Sequence, residues 1–364
     1  MFTSLKNEIV EKDIGQDIES IVSAIKNSGL NFEAIYLVGS FGRGEGSVRF
    51  DGSRWRGIND YDVLVIHSTN VVDLNPLKEL GLELAKSLQI DFVDIGYLPK
   101  SVLSSLTPTL ENYDLKYAST FLDGRDLLGE IPNFDSRDIC PYEFARLICN
   151  RTAGLLSARL PRRTDSVQYR TNQYVKACIA VGDVAVYLGR GYNPSYRKRM
   201  DTFKSIAQER QINFALPEHA VDCIIGGYAK KLGDDPTVTF NVDETSMRNM
   251  IENSFCAIAE RCVGKPLTST SVAGNALVKY YTRKRGLLKA MDNILCAWLH
   301  KDQGRGPDII NRILFSLPAF YCHLSGFDLH CELEYLRKFW CIPGALKKNW
   351  NSLSAVMLWE EYCH

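Results

Sequence analysis

The sequence predicts an α+β protein: an N-terminal domain with a mixed β-sheet flanked by helices, followed by an all-α helical domain. Three observations predict it. Helix and strand periodicities alternate over residues 1–137, long helical patterns broken by short Gly/Pro stretches follow Pro141, and the charge divides at the same place. Over 364 residues, 43 Lys and Arg balance 43 Asp and Glu. Residues 1–137 nevertheless hold 13 basic against 21 acidic residues, which leaves 30 against 22 for residues 138–364. An acidic half joined to a basic half suggests a cleft where cations and phosphates meet; the plainer alternative is solvated charge that happens to be unevenly spread.

Composition narrows the classes. With 45% hydrophobic and 10% aromatic residues the chain is neither disordered, collagen-like nor a coiled coil. No run of about 18 apolar residues occurs, and the first residues lack the charged-then-apolar pattern of a leader, so the expectation is a cytoplasmic protein without a membrane partner. Eleven cysteines, odd in number and without a CxxC pair, read as reduced thiols rather than a disulfide framework.

Taken in order, Ile14, Ile18, Ile21, Val22 and Ile25 recur at helical spacing and Asn27-Ser28-Gly29 ends that helix. A buried strand follows over 34–38 and a second over 62–66; a leucine-rich helix (Leu77, Leu80, Leu82, Leu84, Leu88) then leads to a third over 90–98, closed by Pro99. A further strand is expected over 116–122. The polar run Asp135-Ser136-Arg137-Asp138 before Pro141 places the boundary between domains 1–137 and 138–364. Beyond it the periodicity predicts helices over 142–156, 169–188, 217–232, 244–263, 275–300 and 307–324, with two shorter ones to the end.

The chemistry gathers in the first domain. Directly after the first strand stands Gly39-Ser40-Phe41-Gly42-Arg43-Gly44-Glu45-Gly46. Glycines at a strand-to-helix turn allow close backbone approach, and a helix start offers free N–H groups to phosphate. The second strand opens Asn59-Asp60-Tyr61-Asp62. Residues two apart share a face, so Asp60 and Asp62 present two carboxylates together, an arrangement that a cation would neutralise. Mg²⁺ suits such a place, because it binds through one or two carboxylates plus substrate phosphates. The third strand carries Asp91 and Asp94, which differ in parity, so only one can join the pair. Asp94, mid-strand among apolar neighbours, is the choice over Asp91.

Gly39-Ser40, Asp60-x-Asp62 and a third Asp on a later strand together resemble the nucleotidyltransferase superfamily that includes DNA polymerase beta and the kanamycin-type aminoglycoside nucleotidyltransferases. The resemblance covers roughly residues 30–100. It implies transfer of a nucleoside monophosphate from an NTP to a hydroxyl, with pyrophosphate leaving. It further implies that Gly39 and Ser40 hold the triphosphate, that Asp60, Asp62 and Asp94 form the metal and catalytic set, and that Asp94 activates the acceptor. Two Mg²⁺ ions are the implied cofactors, with Mn²⁺ the alternative, since two metals can stabilise both attacking and leaving oxygens. Arg43 either adds a guanidinium near the phosphates or forms an exposed salt bridge. One departure is the length from Gly39 to Asp60, where residues 48–57 read as an added hairpin around Asp51-Gly52. Its three arginines and Trp55 either grip an acceptor or cover a sheet edge.

In the basic half, Lys176 and Asp183 are the only charges within 171–189 and lie seven residues apart on one helix face. Some relatives place a lysine on such a helix over the triphosphate, which makes Lys176 the fourth nucleotide-binding candidate. Arg197, Lys198 and Arg199 extend a positive wall or are plain surface. Cys322, His323, His330, Cys331 and Cys341 match no standard zinc spacing. The expected partners are therefore an NTP and a small-molecule hydroxyl acceptor. RNA or DNA, a second-messenger product, a protein acceptor, and a non-catalytic nucleotide-binding module are the alternatives.

Overall fold

The computed structural model describes residues 1–58, 60–68, 75–159, 167–233, 240, 242–284, 314–315, 317–319 and 321–322. Helix α1 (Glu8–Asn27) starts where the Asn7 side chain accepts the N–H groups of Ile9 and Val10, satisfying two donors that a helix start leaves orphaned. Its Val10, Ile14, Ile18, Ile21 and Ile25 are buried in one stripe. Strand β1 (Ala34–Leu37) follows and is buried along its whole length. After it come the single turn α2 (Gly39–Gly42), the strands β2 (Val48–Phe50) and β3 (Trp55–Gly57), then β4 (Asp60–His67), α3 (Asn75–Leu88) and β5 (Phe92–Pro99). A 3₁₀ segment Lys100–Ser105, α4 (Leu110–Ala118) and β6 (Thr120–Gly124) complete the sheet region.

The sheet is mixed, with strand order β5-β4-β1-β6. β4 and β5 run parallel, joined through α3 as a parallel pair requires, whereas β1 is antiparallel to both β4 and β6. Strand alternation then separates two apolar faces. Ile35, Leu37, Tyr61, Val63, Val65, Val93 and Ile95 pack with α1 and α3, while Ala34, Tyr36 and Ile66 pack with Leu103, Leu115, Leu127 and Ile131. By that parity Asp60, Asp62 and Asp94 all belong to the face away from α1 and α3.

β2 and β3 form the expected hairpin, and two of its three arginines, Arg54 and Arg56, are engaged within the domain. Arg54 pairs with buried Asp17 of α1 at 2.7 Å, and Arg56 pairs with Asp51 and donates to the Leu88 carbonyl at 3.0 Å. Asp17 also accepts the Tyr61 hydroxyl at 2.9 Å. Burial raises the Asp17 carboxyl above its ordinary range, against the opposing pull of Tyr61 and Arg54.

The chain divides into two compact units. The first is Met1–Ile139 with Tyr192–Asp201 and Tyr228–Val238; the second is Cys140–Gly191, Thr202–Gly227 and Thr239–His364. Two pieces of the basic half thus belong to the sheet unit. The second unit is helical where described: α5 (Pro141–Ser157) and α6 (Val167–Arg190) pack together and against α9 (Glu244–Val263), on which α10 (Thr270–Lys284) also rests. Between α6 and α9 the chain forms α7 (Tyr196–Gln208) and α8 (Ala220–Leu232). Among the described residues no helix is long and apolar enough to cross a membrane.

Several expectations change. The strand expected over 116–122 is the end of α4 followed by β6, which starts only at Thr120, because the Ser119 hydroxyl and the Thr109 cap close a helix there first. α7 was not anticipated. Asp183 is buried rather than part of an exposed stripe with half-buried Lys176. α10 begins before residue 275, and the rest of the 275–300 helix, most of the 307–324 helix, the two terminal helices, His323, His330, Cys331 and Cys341 lie outside the described residues.

Asp17→Ala should destabilise the protein by about 3 kcal/mol, because it leaves the Tyr61 hydroxyl and the Arg54 guanidinium without their acceptor. Asp17→Asn, which keeps an acceptor oxygen, should cost clearly less. Urea midpoints at unchanged slope measure both.

Candidate active site

The site begins where β1 stops. The Val38 N–H still donates to the Asp62 carbonyl at 2.9 Å, and then Gly39 takes a positive φ of 63°. The chain makes one helical turn, in which Gly42 donates to Val38 at 3.0 Å, Arg43 to Gly39 at 3.3 Å and Glu45 to Ser40 at 2.9 Å. The N–H groups of Gly39, Ser40 and Phe41 precede the first of these bonds, as at any helix start. Gly39 also lies against Asp62: a Cβ there would stand 1.9 Å from Asp62 Oδ2. At Gly42 a Cβ would stand 2.3 Å from the Leu37 carbonyl oxygen. Both glycines are needed for space, and Gly39 also for its φ.

Across the parallel pair, Asp62 is in register with Asp94 and Asp60 with Phe92. The structure therefore brings Gly39, Asp60, Asp62 and Asp94 to one place on the sheet. Asp91 lies just before β5 begins and outside its register with β4. Asp94 is exposed, whereas Asp60 and Asp62 are half-buried. Burial first, then the charges of Asp60 and Asp94, push the Asp62 carboxyl well above the ordinary carboxylate range; Arg43 and Lys231 pull against that shift. Such mutual repulsion among oxygen donors is what a cation relieves. Among the described residues no three or more His, Cys, Asp or Glu side chains are grouped closely enough to hold a metal ion by themselves.

Lys231, Ser47 and Asp114 carried no legible sequence signal. Lys231, at the end of α8, has its carbonyl held by Ser47 Oγ at 2.6 Å and its ammonium 5.9 Å from the centre of the Tyr196 ring. Among the described residues no carboxylate forms an ion pair with it. Arg43 is neither an exposed salt bridge nor open to solvent: its side chain is 9% exposed and donates to Asp114 at 2.8 Å. Arg43 also lies 4.9 Å over the Tyr196 ring, whose other near guanidinium is Arg199 at 4.5 Å. Arg199 is buried, whereas Arg197 and Lys198 are exposed. Ser40 is nearly buried beside Gly39. Lys176 lies on α6 in the second unit.

The chain matches no protein-family model and no curated protein. Among solved structures it is similar to the spectinomycin adenyltransferase AAD(9) from Enterococcus faecialis, crystallised with ATP and spectinomycin. Identity is 15%, the match covers 66% of this chain and 98% of that one, and the TM-score is 0.38. A likeness of that size carries nothing about activity; the chemistry has to come from the side chains.

Because the folded pKa of Asp62 is raised, its contribution to stability is present below the ordinary carboxylate range and is lost as pH rises through the raised value. In metal-free protein, Asp62→Asn should therefore raise Tm at about pH 8 and much less at about pH 5. Calorimetry in chelator at the two pH values measures it.

Proposed function

We propose that the chain transfers a nucleoside monophosphate from an NTP to a hydroxyl of a small molecule and releases pyrophosphate. One observation carries the reading: a glycine turn whose helix-start N–H groups have no acceptor among the described residues packs directly on Asp62, whose neighbours on the same sheet face are Asp60 and Asp94. Hydrogen-bond donors for phosphate and cation ligands are thus adjacent, as phosphoryl chemistry requires. In this reading the Gly39–Ser40 turn holds the triphosphate through its backbone. Asp94, the exposed carboxylate, accepts the acceptor's proton as its oxygen bonds to the α-phosphorus and the bond to the bridging oxygen of pyrophosphate breaks.

Asp60 and Asp62 would hold a divalent cation, Mg²⁺ first, as two carboxylates acting together with phosphate oxygens, and Asp94 keeps its place as the third carboxylate on the sequence argument. Bound there with oxygens of the triphosphate, the cation would supply Lewis-acid stabilisation of the charge that develops on phosphate. Lys231 supports the same reading from the protein side, as an ammonium that favours negative charge near Asp62. Residues 1–137 are the proposed catalytic domain and 138–364 the proposed helical substrate and nucleotide domain. Lys176 keeps its proposed part in triphosphate binding on the sequence argument alone.

Incubation with each α-labelled NTP and Mg²⁺, in the presence of a metabolite extract, tests the reaction. Label should appear in a small hydroxyl compound; label in RNA, in protein or in a cyclic nucleotide would move the acceptor class, and no turnover at all would end the reading. Asp60→Asn and Asp62→Asn should each lower turnover at least about a hundredfold with the fold intact. Activity within about tenfold of the parent would remove the metal assignment. Lys176→Ala and Lys231→Ala, compared side by side, should raise the NTP KM in proportion to each lysine's share of the phosphate charge, less so at high salt.

A further inference from the structure

We propose that Glu45 is a positioning residue of the Gly39–Ser40 turn: it ties that turn to the start of α7, so that order in one is order in the other. The proposal rests on reading the turn as the nucleotide site. One end of the tie is backbone, since the Glu45 N–H donates to the Ser40 carbonyl at 2.9 Å. The other end is the carboxylate, in a residue 7% exposed. It accepts Ser195 Oγ at 2.7 Å, the Tyr196 N–H at 2.7 Å and the Arg197 N–H at 3.1 Å. The last two are first-turn N–H groups of α7, which have no helix carbonyl to bond, and the helix dipole favours a negative charge there. A single side chain thus closes two structures 150 positions apart in sequence.

A second tie runs parallel to the first. The Arg43 N–H donates to the Gly39 carbonyl, and its guanidinium donates to Asp114, which accepts the Tyr192 hydroxyl at 3.1 Å. Arg199 donates to that same hydroxyl at 3.1 Å and to the carbonyls of Asn193 and Pro194 at 2.7 and 2.6 Å. The carbonyls of both turn residues, Gly39 and Ser40, are therefore held by residues whose side chains end on the approach to α7. Buried charge-assisted networks of this kind keep one arrangement, because leaving any member unbonded is costly. Neither Arg43 nor Glu45 has to touch the nucleotide: Arg43 is committed to Asp114 and the Tyr196 ring, and Glu45 to α7.

Amide hydrogen exchange on the full chain tests the tie. In Glu45→Ala without nucleotide, exchange should speed up about tenfold or more at residues 196–197 and, together with them, at residues 42–45. Glu45→Gln, which keeps an acceptor oxygen, should retain part of the protection at both places. In the parent, ATP with Mg²⁺ should slow exchange at 196–197, and in Glu45→Ala that slowing should be lost while KM for the NTP rises. Faster exchange confined to 196–197, with 42–45 protected as in the parent, would overturn the proposal. If ATP changes exchange nowhere in residues 37–62 of the parent, the nucleotide reading fails, and the nucleotide-free comparison still decides the tie. Should Glu45→Ala not fold, Ser195→Ala removes one donor and must show the same paired response, smaller in size.

Discussion

Gly39 and Asp62 share a volume that admits only one side chain. With a Cβ at Gly39 the Asp62 carboxylate would have to leave, since the two would stand 1.9 Å apart, and a φ of 63° would strain most other residues there as well. That constraint sets the rest of the site. It puts helix-start N–H groups and a carboxylate side by side, and the parallel register of β4 and β5 then adds Asp94 to the same face. Burial first and the charges of Asp60 and Asp94 second raise the Asp62 carboxyl, and Arg43 and Lys231 offset that shift only in part.

The partial offset comes from unexpected places. Read as a sequence, the acidic first half and basic second half suggest charges facing each other across two domains. Within the sheet unit itself, however, stand Tyr192–Asp201 and Tyr228–Val238, which bring Arg197, Lys198, Arg199, Lys230 and Lys231 from the basic half. Two residues just past the glycine turn hold these segments: Glu45 accepts from the first turn of α7, and Ser47 donates to the Lys231 carbonyl. The Tyr196 ring lies under three cations, Arg43, Arg199 and Lys231, at 4.9, 4.5 and 5.9 Å. An aromatic face attracts each of them and lets like charges sit close without sharing one carboxylate.

What the sequence made legible was local. The strands and most helices follow from apolar period, and the common face of Asp60, Asp62 and Asp94 follows from strand parity once β4 and β5 are recognised. What stayed hidden depends on partners far along the chain. α7 opens Tyr196-Arg197-Lys198-Arg199 without an acidic residue in its first turn; Ser195 caps the Lys198 N–H locally, but the Tyr196 and Arg197 N–H groups are taken by Glu45 from another part of the chain, so the segment reads as a charge run. Arg43 looks like a surface or phosphate-binding cation until Asp114 and Tyr196 enclose it. Asp183 and Arg199 are buried as well, although a charged residue met in a sequence is read as solvated by default.

The long insertion between Gly39 and Asp60 is accommodated for a geometric reason. Along β4 the side chains alternate, so Tyr61 points to the helix face while Asp60 and Asp62 point away from it. On the helix face Tyr61 meets Asp17, and Asp17 meets Arg54 of the inserted hairpin. Trp55 and Val48 pack on the same core as α1 and α3, and Arg56 reaches the end of α3 through the Leu88 carbonyl. The extra residues therefore enlarge the core behind the sheet, using their arginines to satisfy groups buried there. The carboxylate face is left as parity dictates, so the hairpin adds to the core without moving the groups on which the proposed chemistry depends.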